Sequence, residues 1–385
     1  MKNHARTNIS KNSFPLDPII FTSALILLLT GLVMVASASV EMSARYYGSS
    51  FHLLLKHLIY LFISFGVGLL AIGLPIKFWE KMRVPLLIVG MILLVLVLIP
   101  GVGREVNGSQ RWIPFGPFTI QGSEFLKLFI IFYIAGYLAR LKKNEANKLA
   151  SFLKPSILLV TVICLLMAQP DFGTSIVITS SIMGIIFLAG VPIRYFAPLL
   201  IVSIFAGVLL IVFEPYRFER LIVFTNPWEH PYEGGYQLTQ ALIAFGRGDL
   251  FGLGLGNSIQ KLFFLPEAHT DFLFSIIAEE LGLVGASFII ALFSLMVMRC
   301  LWLGSHALLV GLKFHAYVAY GAGLMLGIQA FINLGVNLGV LPTKGLTLPL
   351  MSYGGNSLIV SCLLIGILLR VEFECRNSTR RTRAR

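Results

Sequence analysis

Apolar positions along this chain gather into long runs separated by short polar stretches. The runs fall at 18–38, 56–75, 84–100, 123–140, 154–168, 173–190, 192–213, 271–300, 314–334 and 353–371. Each is near the roughly 20 residues that a helix needs to cross a bilayer. The pattern predicts an all-α polytopic membrane protein with about ten transmembrane helices. One membrane domain covers 18–371, flanked by an N-terminal tail over 1–17 and a basic tail over 372–385. The first run has spanning length and follows a polar leader, which argues against a cleavable signal. Asp17 and Pro18 suit its cap and first turn. The 123–140 run is interrupted by charge, at Glu124 and Lys127.

Composition agrees. The 385 residues are 57% hydrophobic and 12% charged, well below soluble proteins. The net charge of +12 is a matter of placement, not a nucleic-acid signal. With ten spans and a cytoplasmic N-terminus, 20 of the 30 Lys and Arg residues fall on inner segments. The positive-inside rule therefore predicts both termini in the cytoplasm, with the tail beyond Arg376 near anionic lipid. The outer side then carries the long segments 101–122, 214–270 and 335–352. Loops on a rigid scaffold are where chemistry concentrates. Four scattered cysteines argue against a disulfide framework or a Cys-based metal site.

Ionisable groups concentrate in 265–282, Leu265 to Gly282. Asp271 falls at the mouth of the eighth apolar run, where a carboxylate can simply serve a helix N-terminus. Glu279 lies about 12 Å deeper at 1.5 Å per residue. A charge at the centre of a bilayer costs about 2.5–3.5 kcal/mol, so Glu279 needs a partner. Asp271, Ser275 and Glu279 share a helical face, which predicts a polar cavity between helices. Glu267, His269 and Asp271 alternate as metal ligands could, though three without a fourth is a weak pattern. Glu124 and Lys127 are spaced as an ion pair.

The outer segments also hold Arg104, Arg111, Arg217, Arg220, Arg247, Lys261 and Lys344, interspersed with Trp112, Tyr216, Phe218, Trp228, Tyr232 and Tyr236. Cations on the face that the charge rule disfavours suit an anionic headgroup such as a pyrophosphate. Gly252-Leu253-Gly254-Leu255-Gly256 follows no strand and opens no βαβ unit, so it is no dinucleotide site. No Walker motif is present, and no nucleotide cofactor is expected.

Four blocks carry a resemblance over nearly the whole chain. They are Asn107-Gly108-Ser109-Gln110-Arg111-Trp112-Ile113, Gln169-Pro170-Asp171-Phe172-Gly173-Thr174, the stretch Gly235 to Gly282, and Leu341 to Pro349 with Ser352-Tyr353-Gly354-Gly355. Together they resemble the bacterial SEDS family (shape, elongation, division and sporulation). Pro342-Thr343-Lys344-Gly345-Leu346-Thr347 and Tyr216-Arg217-Phe218-Glu219-Arg220 are most similar to its division branch. Gly122 stands where the family usually has Pro, and Asn356 where it usually has Ser.

The resemblance implies a ten-helix inner-membrane glycosyltransferase at the division septum. It would polymerise lipid II into β-1,4 peptidoglycan strands, inverting the anomeric carbon. The partners it implies are a class B penicillin-binding protein, which supplies the transpeptidase, and other division-site membrane proteins; no nucleic acid is involved. The family's essential aspartate falls on Asp271, expected to be the general base. Its fourth-helix Glu and Lys fall on Glu124 and Lys127. With Ser275 and Glu279, these are expected to shape the cavity. Arg111, Trp112, Arg217, Arg220, Lys261, His269 and Lys344 are expected to bind substrate or its pyrophosphate. A divalent cation, Mg or Mn, is expected to assist, with its ligands unspecified. A lipid II flippase, a non-catalytic scaffold and an elongation-type polymerase are the competing readings. Polymer formation from labelled lipid II separates them.

Overall fold

The computed structural model describes residues 16–106, 108–116, 118–141, 150–232 and 234–384. Each apolar run lies on a helix. The first three occupy α1 (Pro18–Tyr47), α2 (His52–Gly73) and α3 (Ile76–Leu98). The next four occupy α4 (Gly122–Arg140), α5 (Ala150–Ala168), α6 (Phe172–Leu188) and α7 (Ile193–Val212). The long segment after α7 folds into α8 (Pro215–Thr225), a 3-10 turn (Pro227–Glu229) and α9 (Tyr236–Gly248). The last three runs lie on α10 (Leu273–Leu309), α11 (Lys313–Asn337) and α12 (Gly355–Ala384). Among the described residues, seven helices are long and apolar enough to cross a membrane: α1 to α4, α7, α10 and α11. The apolar part of α5, Lys154–Ala168, and α6 are shorter. The chain is a multi-pass membrane protein.

Local chemistry explains the ends. Asp17 caps α1, its carboxylate accepting from the backbone N–H groups of Ile19 and Ile20, each at 3.0 Å. Gly48 closes that helix in the left-handed region (φ 68°). Helices approach closely where side chains are small. A Cβ on Gly366 would stand 2.3 Å from the Gly68 carbonyl oxygen, so α12 and α2 meet nearly backbone to backbone. The centre of the bundle is built by α4 and α11, most of whose residues are buried, whereas α7 has no buried residue.

The structure differs from the sequence expectations in four places. The segment 101–122 adds strands to the helical bundle: β1 (Arg104–Val106), β2 (Ser109–Phe115) and β3 (Phe118–Gln121) form an antiparallel sheet in that order. A short sheet satisfies its backbone where no helix fits. The 214–270 segment is irregular only in part: α8, the 3-10 turn and α9 occupy nearly half of it, and α9 buries Leu238, Ala241 and Ala244. The basic tail does not begin as a separate segment at 372, because α12 runs through that position. Finally, α10 is not one continuous helix: Gly282 (φ 66°, ψ −168°) breaks it.

That break is held from outside. Leu253 and Gly254 donate to the carbonyls of Glu279 and Glu280 at 3.0 Å each, and Leu283 donates to Asp249 at 2.9 Å. A Cβ on Gly252 would fall 2.2 Å from the Glu280 carbonyl oxygen, so only glycine lets this strap lie against the broken helix. The Gly252-Gly254-Gly256 spacing therefore serves a backbone clamp.

Candidate active site

A cavity of about 990 Å³ opens on the face that carries the long segments. Its walls come from α2 (Lys56, Tyr60), the β2–β3 hairpin (Arg111, Trp112, Thr119), the start of α4 (Glu124), the turn before α6 (Asp171, Phe172), Arg220 of α8, and the segments around Asp271 and Lys344.

Asp271 precedes α10 and does not cap it; the cap position is Phe272, with no side-chain hydrogen bond. Its backbone is clamped instead. The Asp271 carbonyl accepts from Asn333 Nδ2 at 2.8 Å and from Asn337 Nδ2 at 2.9 Å. Among the described residues nothing donates to its carboxylate, which faces the cavity beside Gly345. Burial, and then the negative charge of Glu267, push its pKa up from 3.8 to about 7, against the pull of Arg111. A half-buried, unbonded carboxylate near neutrality is suited to taking a proton.

Ser275 is also part of the clamp: its N–H and hydroxyl both donate to Asn337 Oδ1, at 3.1 and 2.8 Å. Glu124 lines the cavity, and Lys127, buried and outside its lining, pairs with it at 2.8 Å and donates to Gln329 Oε1 at 2.7 Å. Gln329 Nε2 in turn donates to the Thr347 carbonyl at 3.0 Å. One polar stripe of α11, formed by Gln329, Asn333 and Asn337, thus ties both ends of the cavity together. None of the three figures in the sequence expectations. Their spacing at i, i+4 and i+8 in an apolar helix is a legible signal.

The expected cations separate. Arg111 lies 3.7 Å from Asp171 and donates to the Gln169 carbonyl at 3.3 Å, so it lines the cavity while pinning the turn before α6. Asp171, absent from the expected site, also accepts from Ser123 at 3.1 Å and caps α6 through Thr174. Arg220 donates to the Thr343 carbonyl at 3.3 Å, and Lys344 lies 4.4 Å over the Phe172 ring. Both line the cavity, as does Trp112. Arg217 lies on α8, but its side chain is outside the described residues.

Three expected residues stand elsewhere. Lys261 does not line the cavity; it is spent on Glu280 at 2.8 Å and Ser37 at 2.9 Å. Glu279 is fully buried and paired, as its depth demands, but it faces the 258–260 backbone. It accepts from the N–H groups of Ile259 and Gln260 at 3.1 and 3.2 Å and pairs with Arg247 at 3.2 Å. The break at Gly282 and the strap around it create that separate niche. His269 is buried behind the wall, 5.3 Å from the Tyr353 ring, with no partner at Nδ1. Burial holds its imidazole below the usual value, although Glu267 pulls the other way. Among the described residues no three of His, Cys, Asp and Glu gather as metal ligands, so the Glu267-His269-Asp271 alternation builds no site. The two unusual residues are accommodated: a Cβ at Gly122 would meet Leu93 at 2.9 Å, and Asn356 Nδ2 donates to the Thr119 carbonyl at 2.8 Å.

Residues 18–377 match the FtsW/RodA/SpoVE family, described as cell cycle proteins. A relative from Allochromatium vinosum, "Probable peptidoglycan glycosyltransferase FtsW", is 49% identical over 96% of this chain and 93% of its own. One of the same description from Legionella pneumophila is 50% identical over 91% and 89%. Among solved structures, a chain of a peptidoglycan synthase complex coordinating polymerization and crosslinking superposes with a TM-score of 0.75. It is 30% identical, over 94% of this chain and 98% of that one. The rod shape determining protein RodA of Thermus thermophilus gives a TM-score of 0.69 at 28% identity, over 93% and 96%.

Proposed function

The chain belongs to the FtsW/RodA/SpoVE family of cell cycle proteins, and from that premise we propose how its cavity works as a peptidoglycan glycosyltransferase. The substrate is lipid II, a disaccharide-peptide on undecaprenyl pyrophosphate. Both termini lie in the cytoplasm, and the cavity opens on the outer face of the inner membrane, at the division septum. A class B penicillin-binding protein crosslinks the product, a reading favoured by the similarity to a chain from a synthase complex that couples the two steps. Further division-site membrane proteins complete the assembly.

The single observation that carries the mechanism is the Asp271 carboxylate, held over the cavity by its backbone with no donor of its own. In one displacement the acceptor 4-hydroxyl oxygen bonds to the anomeric carbon of the donor. The bond from that carbon to the pyrophosphate oxygen breaks, and the hydroxyl proton passes to Asp271. Inversion follows from attack opposite the leaving group, so no second nucleophile is needed. Arg111, Arg220 and Lys344 face the anionic leaving group. Glu124, paired with the buried Lys127, forms part of the wall.

A divalent cation is proposed to share this site. Mg²⁺ commonly takes one or two carboxylates plus substrate phosphates and water, not a full protein cage. Asp271 and Glu267, whose charges act on each other, are two of the carboxylates in the cavity wall. When bound, the cation offsets charge on the pyrophosphate.

The test is polymerisation of labelled lipid II by the purified protein and its partner in proteoliposomes. Asp271→Asn abolishes polymer if this scheme holds. Undiminished polymer from that variant sinks the base assignment, and headgroup translocation without polymer favours the flippase.

A further inference from the structure

Among the described residues, four cations line the cavity: Lys56, Arg111, Arg220 and Lys344. Three are engaged by the protein itself. Arg111 pairs with Asp171, Arg220 reaches the Thr343 carbonyl, and Lys344 covers Phe172. Lys56 differs. Among the described residues it has no hydrogen bond, no ion pair and no ring contact. A lysine ammonium carries three donors, and a concave, protein-lined wall offers them less water than a convex surface does.

Its surroundings fix where it stands. Lys56 lies in the second turn of α2, one turn before Tyr60, which packs at 5.7 Å from Phe118 of the hairpin. Gly355 at the start of α12 sits under the Tyr60 ring: a Cβ there would fall 2.3 Å from it. His57, next in the chain, lies 5.8 Å from the Tyr353 ring, and Tyr353 lies 5.3 Å from His269. The Tyr353 N–H donates to the His269 carbonyl at 3.0 Å. A chain of packed rings therefore runs from the residue after Lys56 to the residue two before Asp271. The α2 wall is fixed relative to the base, and Lys56 is its one charged group facing the cavity.

We propose that Lys56 binds an anionic oxygen group of the lipid-linked substrate, as the lining cation that the protein, among the described residues, leaves unspent. This rests on the polymerase reading for the substrate class. The group is a phosphate or a peptide carboxylate, since an ammonium recognises either as a point charge. The Asn356 amide and the Ser357 hydroxyl in the same cavity wall add no charge, so Lys56 adds a positive point to those of Arg111, Arg220 and Lys344.

The experiment measures binding to the full chain in nanodiscs for the wild type, Lys56→Gln and Lys56→Arg. One probe is undecaprenyl pyrophosphate. The other is lipid II with its peptide carboxylates free or amidated. Lys56→Gln is expected to weaken binding about tenfold or more, the loss of one charge-assisted hydrogen bond. Lys56→Arg is expected to restore most of it. A loss with undecaprenyl pyrophosphate assigns the phosphate; a loss confined to free-carboxylate lipid II assigns the peptide. Unchanged binding of both probes by Lys56→Gln overturns the proposal. So does an equal loss in Lys56→Gln and Lys56→Arg, which marks packing and not charge. Failure of the polymerase reading shows separately, as wild-type binding without polymer.

Discussion

The side-chain amide of Asn337 donates to the main-chain carbonyl of Asp271 at 2.9 Å, and its oxygen accepts from the N–H and hydroxyl of Ser275. One buried residue of α11 thereby fixes both the base and the first turn of the helix behind it. Asn337→Leu keeps the volume roughly but strips the Ser275 hydroxyl of its partner, while the Ser275 N–H keeps the Phe272 carbonyl at 3.1 Å. Asn333 still holds the Asp271 carbonyl, so the fold survives while the carboxylate shifts. Small misplacements of catalytic groups cost up to about a hundredfold. The polymerisation rate constant should fall by about tenfold or more, with KM for lipid II near wild type. An unchanged rate constant removes Asn337 from the positioning of the base.

The elevated Asp271 pKa gives a pH signature. A base acts only when deprotonated, so the rate should fall by about tenfold per pH unit below about 7 and level off above it. The sign for stability is opposite. A carboxyl whose pKa is raised by folding favours the fold while protonated, and that contribution is lost as pH rises through about 7. Asp271→Asn should therefore melt higher than wild type at pH 8, with a smaller advantage at pH 5. A wild-type profile flat between pH 5 and 8 contradicts the assignment.

Glu124 and Lys127 are both buried and share one short ion pair, with Gln329 completing it. Removing one partner strands the other. Lys127→Met should cost about 3–5 kcal/mol, read as a large drop in melting temperature in detergent. Glu124→Gln with Lys127→Met leaves no stranded charge and should recover much of the loss. A double variant as unstable as the sum of the singles shows that the two do not act as a pair.

The helical bundle was legible because apolar length reports directly on membrane spans, and all ten runs lie on helices. The three motif-borne positions Asp271, Arg111 and Lys344 share one cavity. What the sequence hid was three-dimensional. Asp271, Ser275 and Glu279 share a face only if the helix already includes Asp271, and α10 begins at Leu273; the strap then packs where Gly282 breaks the helix just beyond Glu279. Glu279 then serves the 258–260 backbone, and Lys261, close in sequence to the base, is drawn to Glu280. Lys56 escaped notice because a lone lysine at a helix start has no motif. The Gln329-Asn333-Asn337 stripe was readable, since polar groups repeating every fourth residue of an apolar helix need a shared partner.

The proposed cation gives the last prediction. Glu267 is the lining carboxylate whose charge acts on Asp271, and it is already bonded to the Thr270 hydroxyl at 2.7 Å. A site with two protein carboxylates binds its cation weakly until substrate phosphates arrive. Exhaustive EDTA treatment should then stop polymerisation, and added Mg²⁺ or Mn²⁺ should restore it. Glu267→Gln removes one ligand and one negative neighbour of Asp271. It should raise the metal concentration for half-maximal rate several-fold and move the acid limb of the pH profile downward, since Glu267 helps raise the Asp271 pKa. The two shifts are read separately, one by metal titration at pH 8 and one by pH titration at saturating metal. Full activity after chelation removes the cation from the scheme, while an unmoved acid limb in Glu267→Gln removes Glu267 from the tuning of the base.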